Sequence, residues 1–197
     1  KEFPSRPIKL QSLSSEQRKR TLAYLTSRET GKNDWIKFHN NLREPIPVVQ
    51  DIRAAKPEVK IFTAFTNVFW DAQLHFKDNI FENMLDWLDE TIKLVEGNDK
   101  VFLIIREHPG ELLGQQKSRK TVTDLFSRRI KELDNVFLFK ASDGVNSYQL
   151  GEETDFAVVY GSKLTHELAA RGVPVIVAGD AWGRGKGFTY DPKNRLE

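Results

Sequence analysis

Four stretches of the chain carry residue types whose spacing suits chemistry. The most informative runs from Tyr160 to Val175. Gly161 permits close backbone approach, Ser162 can cap a following helix, and the N–H groups of that first turn form an anion site strengthened by Lys163. Phosphate suits such a place. Glu167, about a turn and a half into the helix, sits where a carboxylate can accept both hydroxyls of a ribose. The same residues also read as an ordinary capped helix closed by Gly172, with Glu167 favourable to the helix dipole, and the spacing leaves both readings open.

The second stretch is Arg106-Glu107-His108-Pro109-Gly110-Glu111. Pro109 and Gly110 stop the chain sharply after an apolar run, which places His108 and Glu111 at a strand end with Arg106 close behind. A His beside an Arg there, facing a helix start that holds phosphate, makes a cationic pocket for a diphosphate leaving group. A lone histidine is more often structural, but the polar strand end favours the pocket. In the third stretch, Phe69 and Trp70 either stack a sugar or base while Asn67 and Asp71 read its hydroxyls, or fold back onto the core. The fourth, Gly179 to Phe188, is rich in glycine and carries Arg184 and Lys186, which suits a mobile lid over an anion. It lacks the Lys-Ser/Thr pair of a phosphate-binding loop.

Other chemistries drop out. His39, His75, His108 and His166 form no paired helical ligand motif, so no zinc site is expected. No glycine-flanked serine elbow occurs, and the dinucleotide glycine fingerprint is missing from the first strand-to-helix turn. With no cysteine in the sequence, a thiolate nucleophile, a thiolate metal site and a disulfide framework are all excluded.

The elements that must hold these residues follow from hydrophobic rhythm. Apolar runs at 59–65, 101–105, 136–139, 156–160 and 173–177 read as strands buried on both faces, separated by helices over 79–95, 121–133, 147–152 and 164–170. Strands alternating with helices predict an α/β, doubly wound, mostly parallel sheet whose ligands bind beyond the strands' carboxyl ends. A basic helix over 14–28 precedes them. Gly31 to Asp34 and the pair Pro45 and Pro47 are expected to break regular structure. The predicted division is therefore a helical lead-in over 1–56 and a Rossmann-like domain over 57–197.

The 197 residues suit one substantial domain, and the 30 basic against 28 acidic side chains leave a net charge of +2, too weak a field for general nucleic-acid binding. No run approaches the roughly 18 apolar residues of a membrane helix, and the first residues lack a signal peptide's apolar core. A soluble chain in a reducing cytoplasm is expected, with at most peripheral association at the inner face of the membrane. Since it begins in polar sequence without Met, it reads as part of something longer.

The run Thr66 to Asp71, the Arg106-x-His108-Pro109-x-Glu111 turn, Asn146-Ser147-Tyr148, Gly161-Ser162 through Glu167 to Ile176, and Gly185 to Thr189 together resemble the carboxy-terminal half of bacterial capsule polysaccharide biosynthesis proteins. That group is similar to two-domain GT-B glycosyltransferases, in which two Rossmann-like domains face each other and the second holds the sugar nucleotide. The His-Pro turn also resembles that of bacterial sialyl-, Kdo- and glycerophosphate transferases that use cytidine nucleotides.

The resemblance implies donor-nucleotide contacts from Arg106, His108, Glu111, Ser162, Lys163, Thr165 and Glu167, with Glu167 as the ribose-binding acid and His108 as the catalytic candidate. Asn67, Asp71, Tyr148, Arg184 and Lys186 are the candidate sugar or base contacts. Where the family commonly has a serine pair or Ser-Thr, this chain has Ser162-Lys163. No cofactor is expected beyond a CMP-, CDP- or UDP-linked donor. The implied partners are that donor and a polysaccharide or glycolipid acceptor held by a preceding domain, without which the fragment should turn nothing over. Two rivals remain: a sugar-nucleotide 2-epimerase, and a non-catalytic scaffold docking through the basic 14–28 helix.

Overall fold

The computed structural model describes residues 12–30, 43–70, 79–112, 117–195 and 197. Five parallel strands, β1 (Lys60–Phe65), β2 (Val101–Arg106), β3 (Val136–Phe139), β4 (Phe156–Val159) and β5 (Val175–Val177), form one sheet in the order β3-β2-β1-β4-β5. The chain winds outward from β1 to β2 and β3, then crosses back so that β4 lies on the other side of β1. The switch point is therefore the crevice between β1 and β4. The doubly wound Rossmann-like sheet expected from the apolar runs is the observed one.

Alternation along the strands builds two apolar layers. Leu103, Ile105, Ala64 and Val158 pack with Trp87 and Leu88 of α3 (Met84–Val95) and Phe126 of α4 (Val122–Ile130). Ile104, Ile61, Phe65 and Val159 pack on the opposite layer with Leu150 of α5 (Ser147–Glu153) and Leu168 of α6 (Leu164–Ala169). Caps set the helix starts. Asn83 accepts from Leu85 N–H and Asp86 N–H, which starts α3 later than the expected 79. Thr121 and Asp124 form a capping box for α4.

One expectation fails at the prolines. Pro47 does not interrupt structure but opens α2 (Pro47–Ala55) at the first helical position, where its missing N–H costs nothing. Ile46 and Val49 are buried against the layer of Ile61 and Tyr148, so the apolar core reaches back into the segment expected as a lead-in. Helix α1 (Ser15–Thr30), which matches the 14–28 expectation, has no buried residue. Gly31 to Asp34 lie outside the described residues. Among the described residues, no helix is long and apolar enough to cross a membrane.

Candidate functional site

The carboxyl ends of β1, β2 and β4 are tied together at the switch point. Thr66 follows β1, and its hydroxyl donates to Arg106 O at 3.3 Å while accepting His108 N–H at 3.0 Å. Asn67 spans the crevice: its Nδ2 donates to Gly161 O at 2.8 Å. The Asn67 Oδ1 is buried and has no partner among the described residues. A buried acceptor without a partner calls for one, from water, an ion or a ligand. On the far side of β4, Gly179 N–H donates to Tyr160 O at 2.7 Å, and a Cβ on Gly179 would stand 2.2 Å from that oxygen, so only glycine fits.

At the end of β2 the polar residues part company. Arg106 is 2% exposed, and its guanidinium turns sideways to donate to Lys140 O and Val145 O on the loop after β3. Burial pulls it down to about 10, with Asp143 and Glu107 acting the other way. Glu107 turns to the opposite layer. Its carboxylate accepts from Thr123 N–H at 2.7 Å, the Thr123 hydroxyl at 2.9 Å and Ala141 N–H at 2.6 Å, which clasps the start of α4 to the end of β3.

His108 is half-buried and caps a single 3-10 turn, Pro109–Glu111, with Nδ1 accepting Gly110 N–H at 2.9 Å. That bond assigns the proton of the neutral ring to Nε2 and makes this edge a donor. Glu111 is fully buried, and neither carboxylate oxygen has a partner among the described residues. Burial pushes it up to about 7, and the nearby Glu107 and Asp124 charges add to it. Of the cationic pair expected here, the histidine caps its own turn and the arginine is committed to the loop after β3.

At the end of β4, the Ser162 hydroxyl accepts Leu164 N–H at 3.2 Å, while Lys163 occupies the cap position of α6 with its side chain exposed. Thr165 is fully buried, donating to Ser162 O at 2.7 Å. The close approach of Gly183, where a Cβ would lie 2.4 Å from the Thr165 methyl, packs the loop after β5 onto this turn. Glu167 is 1% exposed and fully engaged. Tyr148 Oη donates to its Oε2 at 2.9 Å, and Tyr24 Oη and Arg28 Nε donate to its Oε1 at 3.1 and 2.8 Å. Tyr148 is itself 3% exposed, with Arg171 over its ring at 4.9 Å. Burial, with the Glu167 charge next, raises its phenol.

The remaining candidates divide. Phe69 packs back onto the core while Trp70 is half-exposed, so the aromatic pair splits between its two readings. Arg184 is spent on backbone, donating to Val177 O and Pro192 O. With Asp191 accepting Gly185 N–H and the Thr189 hydroxyl, the loop expected to be mobile is instead pinned. Lys186 is half-buried in that loop, and Asp71 lies outside the described residues. Sequence reasoning did not find Glu107 as a clasp or Tyr24 and Arg28 as partners of Glu167; pairings 139 and 143 residues apart leave no local signal. Beyond β3, Ile46, Pro47, Phe139, Asp143, Val145 and Asn146 help line a cavity of about 350 Å³, and the buried Asn146 Nδ2 has no partner among the described residues. Among the described residues, no three His, Asp or Glu side chains converge as metal ligands.

No protein-family model matches the chain, and no curated protein matches it. Solved structures do. The chain is similar to Thermosulfurimonas dismutans KpsC, described as a beta Kdo 2,4 transferase, at 18% identity and a TM-score of 0.57, covering 94% of this chain and 51% of that one. A second match is T. dismutans KpsC described as a beta Kdo 2,7 transferase, at 17% identity and TM-score 0.48, covering 76% and 44%. A third is a Listeria monocytogenes protein described as a putative UDP-N-acetylglucosamine 2-epimerase, at 11% identity and TM-score 0.42, covering 68% and 30%. The first match shows a shared Rossmann-like fold. The chain spans about half the length of that structure.

Proposed function

We propose that the chain is the donor-nucleotide-binding domain of a GT-B type glycosyltransferase acting in capsular polysaccharide synthesis. The observation that carries this reading is the convergence at the switch point of His108, the open Asn67 Oδ1 and the Gly161-Ser162-Lys163 turn, tied by the Thr66–His108 and Asn67–Gly161 bonds. The fold shared with a Kdo transferase supports it.

The chemistry asks little of the protein beyond charge stabilisation. As the bond from sugar to nucleotide phosphate breaks, negative charge grows on the phosphate oxygens. The His108 Nε2–H and the Lys163 ammonium are placed to meet it, and Ser162 adds a hydroxyl. Such transfer needs no metal ion. Arg106, committed to Lys140 and Val145, orients the loop beside the cavity instead of touching phosphate. The acceptor and its base belong to a facing domain, and the partners of the whole protein are a nucleotide-sugar donor and a polysaccharide or glycolipid acceptor.

Saturation-transfer NMR with CMP, CDP and UDP tests the reading. At least one should bind the folded chain, and His108→Ala should weaken it about tenfold, roughly 1.4 kcal/mol, with a lower Tm from the lost cap on the 109–111 turn but a chain still folded at 25 °C. If all three fail to bind the folded chain, the assignment is wrong.

A further inference from the structure

Helix α1 is attached unlike the other helices among the described residues. Helices α2 to α6 each bury side chains in the core, whereas α1 buries none and is held by polar contacts. Tyr24 and Arg28 bond to Glu167; Glu29 pairs with Arg43 at 2.6 Å and Arg171 at 3.1 Å; and Arg171 donates to Leu25 O at 3.1 Å. Arg43 is half-exposed, and ion pairs of this kind contribute little in water. With no fully buried side chain, α1 can leave the surface at modest cost.

What α1 covers gives that looseness a consequence. Resting on the donor-site reading above, extended by the ribose-binding role that the resemblance implies for Glu167, we propose that α1 is an autoinhibitory strap. Tyr24 and Arg28 bring one hydroxyl and one N–H donor to Glu167 Oε1, the bonds that a ribose's paired hydroxyls would make. Tyr148 meanwhile holds Oε2 and keeps the carboxylate oriented. A carboxylate that is 1% exposed and fully bonded offers nothing to a nucleotide until α1 withdraws. Helix and nucleotide therefore exclude each other, and the affinity measured is the intrinsic affinity multiplied by the fraction of molecules with α1 displaced.

The test uses the full chain and three probes in parallel, CMP, CDP and UDP. Replacing both donors, Tyr24→Phe with Arg28→Ala, should tighten binding about tenfold, the factor expected if α1 covers Glu167 in about nine molecules of ten. Glu29→Gln leaves the Glu167 contacts in place and only loosens the helix, so it should tighten binding by a smaller factor, about two to three. Both variants keep every buried side chain, and an unchanged Tm of the main transition verifies this. Unchanged or weaker binding in the double variant, while the parent binds, overturns the strap and leaves the donor-site reading intact. If neither parent nor variants bind any probe, the strap falls together with that reading.

Discussion

The ends of β2 and β4 are both dense in polar side chains, yet they use them differently. After β2, successive residues diverge. Arg106 goes to the loop after β3, Glu107 goes to the start of α4, and Glu111 is buried with no partner among the described residues, so two of the four polar groups tie the scaffold together. After β4 the polar groups turn inward on one point: Ser162 and Thr165 shape the turn, and Glu167 gathers Tyr148 from α5 and both Tyr24 and Arg28 from α1. A polar strand end marks a site only where its side chains converge. From the β2 turn, His108 is tied to the switch point through its backbone N–H to the Thr66 hydroxyl.

Substitutions sharpen this contrast, beginning with the scaffold. Glu107→Ala removes three hydrogen bonds from a buried carboxylate and should lower stability by about 3 kcal/mol in denaturant unfolding. Arg106→Leu should cost about 2 kcal/mol, because two carbonyls lose a charged donor, while a direct phosphate role would make its main effect a loss of nucleotide binding at unchanged stability.

Glu111 gives a subtler signature. Its folded value near 7 exceeds the ordinary 4.5, so between those pH values the folded state keeps a proton that the unfolded chain releases. Stability attributable to this group therefore falls as pH rises from about 4.5 to about 7 and levels off above. Glu111→Gln should flatten that slope in Tm measured against pH and be more stable than the parent above pH 7. The smallest effect should be at the β4 turn, where Lys163→Ala, an exposed charge, weakens nucleotide binding about threefold with no change in Tm.

Much of the fold was legible because burial on both sheet faces leaves nearly continuous apolar runs, as at Val101 to Ile105. The start of α2 was not, since Pro45 and Pro47 read as breakers until the fold shows Pro47 at a helix's first position, where proline is favoured. Within the site, the residues that end the strands were legible from turn signals such as His108-Pro109-Gly110. The direction of each side chain was not. Whether Arg106 faces the crevice or the flank depends on strand alternation and on carbonyls more than thirty residues away. Glu167 was legible as a special acid, but its occupation by α1 depends on long-range packing that no local pattern encodes.

The account stands or falls on where a nucleotide touches the protein. Backbone amide shifts of the folded, isotope-labelled chain, followed during titration with CMP, CDP and UDP, measure this directly. The prediction is that the largest changes for the nucleotide that binds cluster at Asn67, His108, Gly161 and Ser162, with Thr123 and Ala141, the partners of Glu107, nearly still. Shifts centred on the Glu107 clasp, or none at those four residues, would contradict it.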